Sequence, residues 1–176
     1  MNILSRLVNL VYPSKCSFCG KLISFQKSGI NICSECMDKI KFCASRKRCK
    51  VCGTPLGNPR YRLCQSCFRK AKSDICTYYN GITAAVEYDR NSKRGIINLK
   101  HARSLSSVNT FSNLITAMVK NDFGSVNFDY ITAIPPRRQR MKEIGFDQSG
   151  ALAKKTAKLL SVKYCLLYTS DAADEL

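Results

Sequence analysis

Negative charge is scarce in this sequence: its 176 residues contain 29 lysines and arginines but only 12 aspartates and glutamates, which gives a formal net charge of +17. A chain with this balance attracts polyanions such as nucleic acid, nucleotides or anionic lipid, and composition does not choose among them. With 45% hydrophobic residues, the length suits one ordinary core, or a small metal-stapled module plus a modest second domain. We expect two units.

The N-terminal segment lacks a long hydrophobic run. Its apolar residues share one stripe of an amphipathic helix that we predict over residues 1–14: Ile3, Leu4, Leu7 and Val11. Arg6 and Asn9 interrupt the stretch, which excludes a secretory signal and a membrane span. We therefore expect a cytoplasmic protein without stable membrane insertion, whose N-terminal helix covers a core or lies on a membrane surface.

Histidine is almost absent, whereas cysteine occurs 11 times. In a cytoplasmic chain, so many thiols indicate metal binding rather than disulfides. Each Cys-x-x-Cys turn aims two sulfurs at one ion, and two such turns complete a closed tetrahedral site, which is typical of structural zinc. Four pairs occur in chain order and predict two zinc ions with these ligands: Cys16 and Cys19, Cys33 and Cys36, Cys49 and Cys52, Cys64 and Cys67.

The two cysteine modules form an internal repeat, because Gly20 and Gly53 each follow the first pair of a module. The loops between pairs are long enough for a short hairpin, as in a zinc ribbon. Sequential pairing is our expectation, with interleaved pairing and iron–sulfur ligation as alternatives. Cys43, Cys76 and Cys165 fall outside the pairs. Cys43 and Cys76 are interpreted as small apolar residues rather than as a ligand or nucleophile, and His101, the one histidine, as a solvated helix-end residue.

Lysine and arginine residues are interleaved with aromatic residues through the two cysteine modules. Such a surface could bind single-stranded nucleic acid, with the basic side chains contacting phosphates and the aromatic rings stacking on bases. Alternatively, the rings form small ribbon cores and the charges keep them soluble. The residues concerned are Phe42, Arg46, Lys47, Arg48, Lys50, Arg60, Tyr61, Arg62, Phe68, Arg69, Lys70 and Lys72.

From residue 75 onwards the pattern is typical of an α/β domain. The segments ICTYY and ITAAVEY flank Asn80-Gly81 and predict a hairpin. A short helix within NSKRGIINLKHAR and a longer one over about 105–120 follow. A strand near 130–134, a charged loop, a helix over about 148–160 and a strand from about 162 then complete a β-loop-α-β unit of a parallel sheet.

The charged loop predicts a phosphate site, because ligands of open α/β sheets bind beyond the carboxyl ends of strands. Arg137, Arg138, Arg140 and Lys142 supply charge, and Gly145 lets an anion approach the backbone. Amides at the start of the next helix can donate to phosphate oxygens. In the alternative interpretation, Asp147 is only a helix N-cap and the loop is solvated.

These features together resemble the ComF family of late competence proteins, over about residues 16–163. The resemblance rests on the double four-cysteine ribbon, the hairpin, the segment INLK and the pattern IPP...R....GFDQS. It implies a type I phosphoribosyltransferase-like domain with residues 131–148 beside the pyrophosphate end of phosphoribosyl pyrophosphate. Arg140, Gly145, Phe146 and Gln148 match the family pattern, whereas Ile144 and Asp147 replace a usual arginine and asparagine.

We therefore predict an α/β protein with a double zinc ribbon over residues 15–74 and a partial phosphoribosyltransferase-like domain over 75–164. Such transferases carry a further strand with two acidic residues and a Thr/Gly-rich loop that holds the ribose phosphate. That segment does not occur here, so we expect no activity from the chain as given and open sheet edges. Residues 165–176 resemble translated sequencing-adapter sequence, the alternative being a genuine strand with an acidic tail.

The resemblance implies a competence protein that supports DNA uptake and binds phosphoribosyl pyrophosphate or a related phosphate, with single-stranded DNA and the DNA-uptake machinery as partners. Catalysis does not follow from the fold alone. The alternative is a non-enzymatic zinc-ribbon adaptor that binds single-stranded DNA or a protein partner.

Overall fold

A computed structural model of the protein describes residues 13–24, 28–45, 47–58, 60–72, 79, 81–101 and 104–166. Nearly all of the predicted N-terminal helix lies outside these residues, as does residue 76. The same holds for nearly all of the first strand of the predicted hairpin and for residues 167–176.

Helices dominate the described part of the chain. They are α1 (Ser34–Lys39), α2 (Gln65–Lys72), α3 (Arg90–His101), α4 (Leu105–Phe123), α5 (Arg138–Ile144) and α6 (Gln148–Leu160), with a 3₁₀ turn at Cys43–Ser45. Strands β1 (Tyr130–Ile131) and β2 (Lys163–Tyr164) pair in parallel. The α/β prediction is confirmed in its coarser part, helices with a small parallel sheet, and the phosphoribosyltransferase-like domain remains a prediction.

Helix α4 begins where the sequence supplies a cap and a buried face. The Ser104 hydroxyl accepts a hydrogen bond from the Ser107 N–H, and Val108, Phe111 and Met118 are buried. The helix extends past the predicted end and packs against α6. In the part of the chain that the structure describes, no helix is both long enough and apolar enough to cross a membrane.

The segment that we predicted as a charged loop contains helix α5, and this is a correction. Arginine, glutamine, methionine, lysine and glutamate are all good helix formers, so their local preference outweighs their charge. Gly145 ends the helix in the left-handed conformation at φ 63°, and its N–H donates to the Met141 carbonyl. The Asp147 carboxylate then caps α6 by accepting the Gly150 N–H at 2.8 Å.

The main hydrophobic core joins the first cysteine module to α3 and α4. Its buried members are Cys16, Phe18, Ile32, Ile40, Leu99, Val108 and Phe111. The Phe18 and Phe111 rings lie 5.1 Å apart between centroids. Gly95 of α3 is required by this packing, because a Cβ atom there would lie 2.5 Å from the Phe18 ring and 3.0 Å from its Cα.

Residues 85–87 pair with residues 41–43, which follow α1. Val86 forms an isolated antiparallel bridge with Phe42, and the Cys43 N–H donates to the Ala85 carbonyl at 3.0 Å. The segment that sequence pattern assigned to the start of the second domain therefore contacts the stretch that connects the two cysteine modules.

Candidate metal centres and their surroundings

The two cysteine modules share the same backbone turn around their first pair. The Gly20 N–H donates to the Cys16 carbonyl at 2.9 Å, and the Gly53 N–H donates to the Cys49 carbonyl at 3.0 Å. Both glycines have a positive φ, 79° for Gly20 and 71° for Gly53, which residues with a Cβ atom rarely adopt. We call the module with Cys16, Cys19, Cys33 and Cys36 the first ribbon, and the module with Cys49, Cys52, Cys64 and Cys67 the second ribbon.

Both ribbons combine a short β-like turn with the start of a helix. Antiparallel bridges flank the first pair, between Lys15 and Leu22 in the first ribbon and between Arg48 and Pro55 in the second. The second pair of each ribbon lies at a helix N-terminus: Cys33 is the N-cap of α1, and α2 begins directly after Cys64. The hairpin-like part therefore surrounds the first pair of cysteines.

The eight cysteines form two groups, each containing two consecutive pairs along the chain, as in sequential pairing. Within a group all four sulfurs lie within 4.8 Å of one another. Cys19 Sγ and Cys33 Sγ are 3.6 Å apart, as are Cys52 Sγ and Cys64 Sγ. Tetrahedral zinc with bonds of about 2.3 Å needs sulfurs about 3.8 Å apart. The donor sets therefore fit two zinc ions, one in each ribbon. Each ion would cross-link the four cysteines of its ribbon, and zinc itself does not change oxidation state.

Hydrogen bonds lower the pKa of some of these thiols and so favour the thiolate form that binds a metal. Burial opposes ionisation of Cys16, but backbone N–H groups, including that of Cys33 at 3.4 Å from Cys16 Sγ, lower its pKa to about 7. The Thr54 hydroxyl, 3.2 Å from Cys52 Sγ, lowers the pKa of that thiol to about 6. Burial and neighbouring thiols raise the pKa of Cys36. A bound divalent cation would offset this cost of ionising the thiol, because it stabilises the thiolate.

Residues predicted to lie outside the metal sites do so where they are described. Cys43 is buried at 4% exposure and Cys165 is half-buried, and neither joins a four-cysteine group. His101 is the last residue of α3.

The first ribbon is bonded to α4 through a buried polar network. Ser17 Oγ donates to Thr110 Oγ1 at 2.9 Å, and the Asn31 N–H donates to the same oxygen at 3.0 Å. Ser17 is 4% exposed and Thr110 is fully buried. Because these donors and acceptors satisfy one another away from water, they fix the position of the first ribbon on the helix.

The second ribbon is bonded to α4 through an ion pair. Arg48 Nη2 donates to Asp122 Oδ2 at 2.6 Å, and the Arg48 side chain is only 7% exposed. Thr83 Oγ1 donates to the same oxygen. Burial alone would raise the pKa of Asp122, but the hydrogen bonds from Thr83 and Asn121 and the Arg48 charge outweigh burial and lower it. Sequence pattern placed Arg48 on the basic surface, and neither its burial nor its partner could be inferred from that pattern.

A cavity of about 540 Å³ lies between the second ribbon and the C-terminal end of α4. Its charged lining is strongly basic. The lining includes Lys47, Arg48, Lys50, Arg60, Tyr61, Arg62 and Asp122.

The aromatic residues of the ribbons divide between core and surface. Phe42 is half-buried and packs against the core. Tyr61 is 65% exposed and Phe68 is 51% exposed, and the Lys72 Nζ atom lies 4.9 Å from the centre of the Phe68 ring. Both exposed rings belong to the second ribbon.

The predicted phosphate segment lies between β1 and α6. Arg138, Arg140 and Lys142 are exposed on α5, and Arg137 is its N-cap. Phe146 packs against the core, and Gln148 Nε2 donates to the Lys100 carbonyl at 2.6 Å.

A cavity of about 730 Å³ beside β1 is lined largely by apolar side chains of α4 and α6, such as Ile115 and Leu152. The described lining of this cavity contains none of the residues of the predicted phosphate segment, which are Arg137, Arg138, Arg140, Lys142, Gly145, Phe146 and Gln148.

Comparison with known proteins agrees with the cysteine geometry. A search of curated proteins and a search of solved structures each gave no match. Among protein families, the model of the double zinc ribbon domain matches residues 7–68. The chain therefore contains a double zinc ribbon domain with two four-cysteine sites that suit two zinc ions.

Proposed function

We propose that this protein is a ComF-type competence factor whose second ribbon binds single-stranded DNA during DNA uptake. The observation that carries the proposal is the pair of exposed rings, Tyr61 and Phe68, on a ribbon rich in lysine and arginine. Exposed rings are accessible for stacking, and bases of a single strand stack on such rings whatever their sequence. The zinc ions would keep this surface in shape.

Charge supports the same ligand. Lys50, Arg60 and Arg62 are exposed on the second ribbon, and the whole chain has a net charge of +17. Cations of this density attract a phosphate backbone, and rings distinguish unpaired bases from a closed duplex, in which the bases are already stacked. Proteins of the DNA-uptake machinery are the proposed protein partners.

Fluorescence anisotropy with a labelled oligothymidine at low salt tests this proposal on the zinc-loaded chain. Replacing both Tyr61 and Phe68 with alanine should weaken binding by roughly 30-fold or more, since two stacked bases at about 1–3 kcal/mol each contribute about 2 kcal/mol or more. Tyr88→Ala is the matched control, because Tyr88 is also 65% exposed but lies outside the ribbons.

Salt dependence supplies a second measurement. Arg62→Gln should reduce the slope of log K against log salt by about 0.7, the value for one lost phosphate contact on a single strand. Absence of binding at low salt, or equal losses in the double variant and in Tyr88→Ala, would rule out the second ribbon as the DNA-binding surface.

A second candidate function is binding of phosphoribosyl pyrophosphate at the junction of β1 and α6. The parallel pairing of β1 with β2 supports it, because the chain crosses through α6 between the two strands and so forms a β-α-β unit. Arg137, Arg140 and Lys142 are exposed there. Against this candidate, the Asp147 carboxylate already occupies the Gly150 amide at the start of α6.

Isothermal titration with phosphoribosyl pyrophosphate separates this candidate from the first. Arg140→Ala should weaken binding by about tenfold, the loss expected for one charged hydrogen bond. Arg90→Ala, which removes an exposed arginine at the start of α3, should change nothing. An affinity that is too weak to measure, or that Arg140→Ala leaves unchanged, would eliminate this candidate while leaving the DNA proposal intact.

A further inference from the structure

The cavity beneath the second ribbon contains a buried donor without an acceptor. Arg48 lines the cavity and its side chain is 7% exposed. Its Nη2 atom is paired with Asp122, and its Nη1 atom lies 3.5 Å from the Ala84 carbonyl oxygen. Among the residues that the structure describes, none accepts a hydrogen bond from Nε. A buried N–H without an acceptor is costly, and an oxygen atom of a ligand would remove that cost.

The charge around this donor selects an anion. Lys47, Lys50, Arg60 and Arg62 line the same cavity, whereas Asp122 is the one carboxylate in its described lining and is already paired with Arg48. An anion in this cavity would therefore meet four further cations. A phosphate dianion suits such a set, because it offers several acceptor oxygens to several donors.

Size and the exposed ring narrow the ligand class further. The volume of about 540 Å³ is within the range of pockets for small ligands and exceeds what inorganic phosphate alone would fill. Tyr61 lines the cavity and is 65% exposed, so its ring is accessible for stacking on a flat aromatic group.

We propose that this cavity binds a nucleoside 5′-phosphate, with the phosphate at Arg48 and the surrounding cations and the base against Tyr61. The inference extends the proposed nucleic-acid function, with which it shares Tyr61, by assigning a defined nucleotide site. A free mononucleotide and the 5′ end of a DNA strand offer the same chemistry.

Calorimetric titration of the zinc-loaded full chain with adenosine 5′-monophosphate tests the site, with inorganic phosphate and adenosine as comparison probes. We expect the mononucleotide to bind more tightly than either fragment. Arg48→Lys keeps a cation beside Asp122 but removes the Nε donor, and should weaken mononucleotide binding by about tenfold or more. Arg90→Lys, the same change on the exposed start of α3, should have no effect.

Because Arg48 is buried, the melting temperature of Arg48→Lys is measured alongside, and Arg62→Gln provides an exposed second variant in the same lining. Binding of the mononucleotide that is no tighter than that of inorganic phosphate, or that neither variant weakens, would overturn the proposal.

The source of the phosphate is decided by two oligothymidines that differ only at the 5′ end. Tighter binding of the 5′-phosphorylated strand than of the 5′-hydroxyl strand, lost in Arg62→Gln, assigns the site to strand ends. Equal binding of the two strands together with mononucleotide binding assigns it to free nucleotides. If the wild-type chain binds mononucleotide but no DNA strand, the proposed function is contradicted and this site is not. If it binds DNA strands but no mononucleotide, only this site is contradicted.

Discussion

Phe18 in the first ribbon and Val51 in the second occupy equivalent positions between the paired cysteines, but their surroundings differ. Phe18 is 1% exposed and packs against Phe111 of α4, whereas Val51 is half-buried and belongs to no described part of the main core. The same contrast holds one residue earlier, where buried Ser17 corresponds to exposed Lys50.

Two copies of one metal-binding turn have therefore taken different roles. The first ribbon supplies apolar and hydroxyl side chains to the core, so its zinc site and the helices depend on each other. The second ribbon is attached by the Arg48–Asp122 ion pair and leaves Tyr61 and Phe68 to solvent. The main core is therefore built on the first ribbon, and the exposed rings of the second ribbon are accessible for the proposed binding.

Loss of one ligand from each site should give the largest difference between the ribbons. Cys16→Ser should abolish the cooperative fold, because zinc binding contributes about 10–16 kcal/mol to such sites and a whole domain is stable by only about 5–15 kcal/mol. Cys49→Ser should retain one zinc ion per chain and most of the helical signal, since α3, α4 and α6 do not contain second-ribbon residues. Zinc content and far-UV circular dichroism measure both effects, and equal loss of helix would contradict the comparison.

Truncation of the equivalent side chains should give the next largest difference. Phe18→Ala should lower the free energy of unfolding by about 3–5 kcal/mol, the usual cost for a fully buried phenylalanine. Val51→Ala should cost about 1 kcal/mol or less, because the residue is only half-buried. Urea unfolding of the zinc-loaded variants gives both values, and similar costs would show that the second ribbon also supports the core.

Local signals explain what the sequence could predict. The spacing of Cys16, Cys19 and the other paired cysteines sets the geometry of each pair within one turn, so the pairs follow from neighbouring residues alone, whereas spacing left open which pairs share a site. Helix α6 forms over the predicted residues because Asp147 caps it locally.

Long-range pairing explains what it could not predict. Arg48 is buried because Asp122, distant in the chain, meets it on α4, and no local pattern distinguishes Arg48 from its exposed neighbours. Phe18 likewise becomes a core residue only when α3 and α4 pack over the first ribbon. Helix α5 is a different case, because a local signal did exist. Its residues are good helix formers, but their high charge density led us to predict a loop.

The ion pair that attaches the second ribbon should have a smaller effect, and one that depends on pH. Asp122→Asn should lower the free energy of unfolding by about 1.5–3 kcal/mol at neutral pH, the range for a hydrogen-bonded charge. The folded state lowers the pKa of Asp122, so the carboxylate stabilises above its unfolded pKa of about 3.9. That contribution is lost as the pH falls through the folded pKa.

The difference between wild type and Asp122→Asn should therefore narrow on acidification, while Asp129→Asn, an exposed carboxylate after α4, should match wild type throughout. Thermal unfolding at a series of pH values, with zinc content followed in each sample, checks both statements. A difference that stays constant below the unfolded pKa would mean that the charge of Asp122 is not what attaches the second ribbon.

The smallest expected difference concerns the residue that follows the first cysteine of each ribbon. Ser17→Ala removes the hydroxyl that donates to Thr110 Oγ1, but the Asn31 N–H still donates to that oxygen, so the cost should be only about 1 kcal/mol. Lys50→Ala at the equivalent exposed position should change stability by less than about 0.5 kcal/mol. Chemical unfolding resolves this difference only if both variants retain two zinc ions, which metal analysis verifies. Equal values would mean that the hydroxyl network does not fix the first ribbon on α4 and that apolar contacts such as Phe18 with Phe111 suffice.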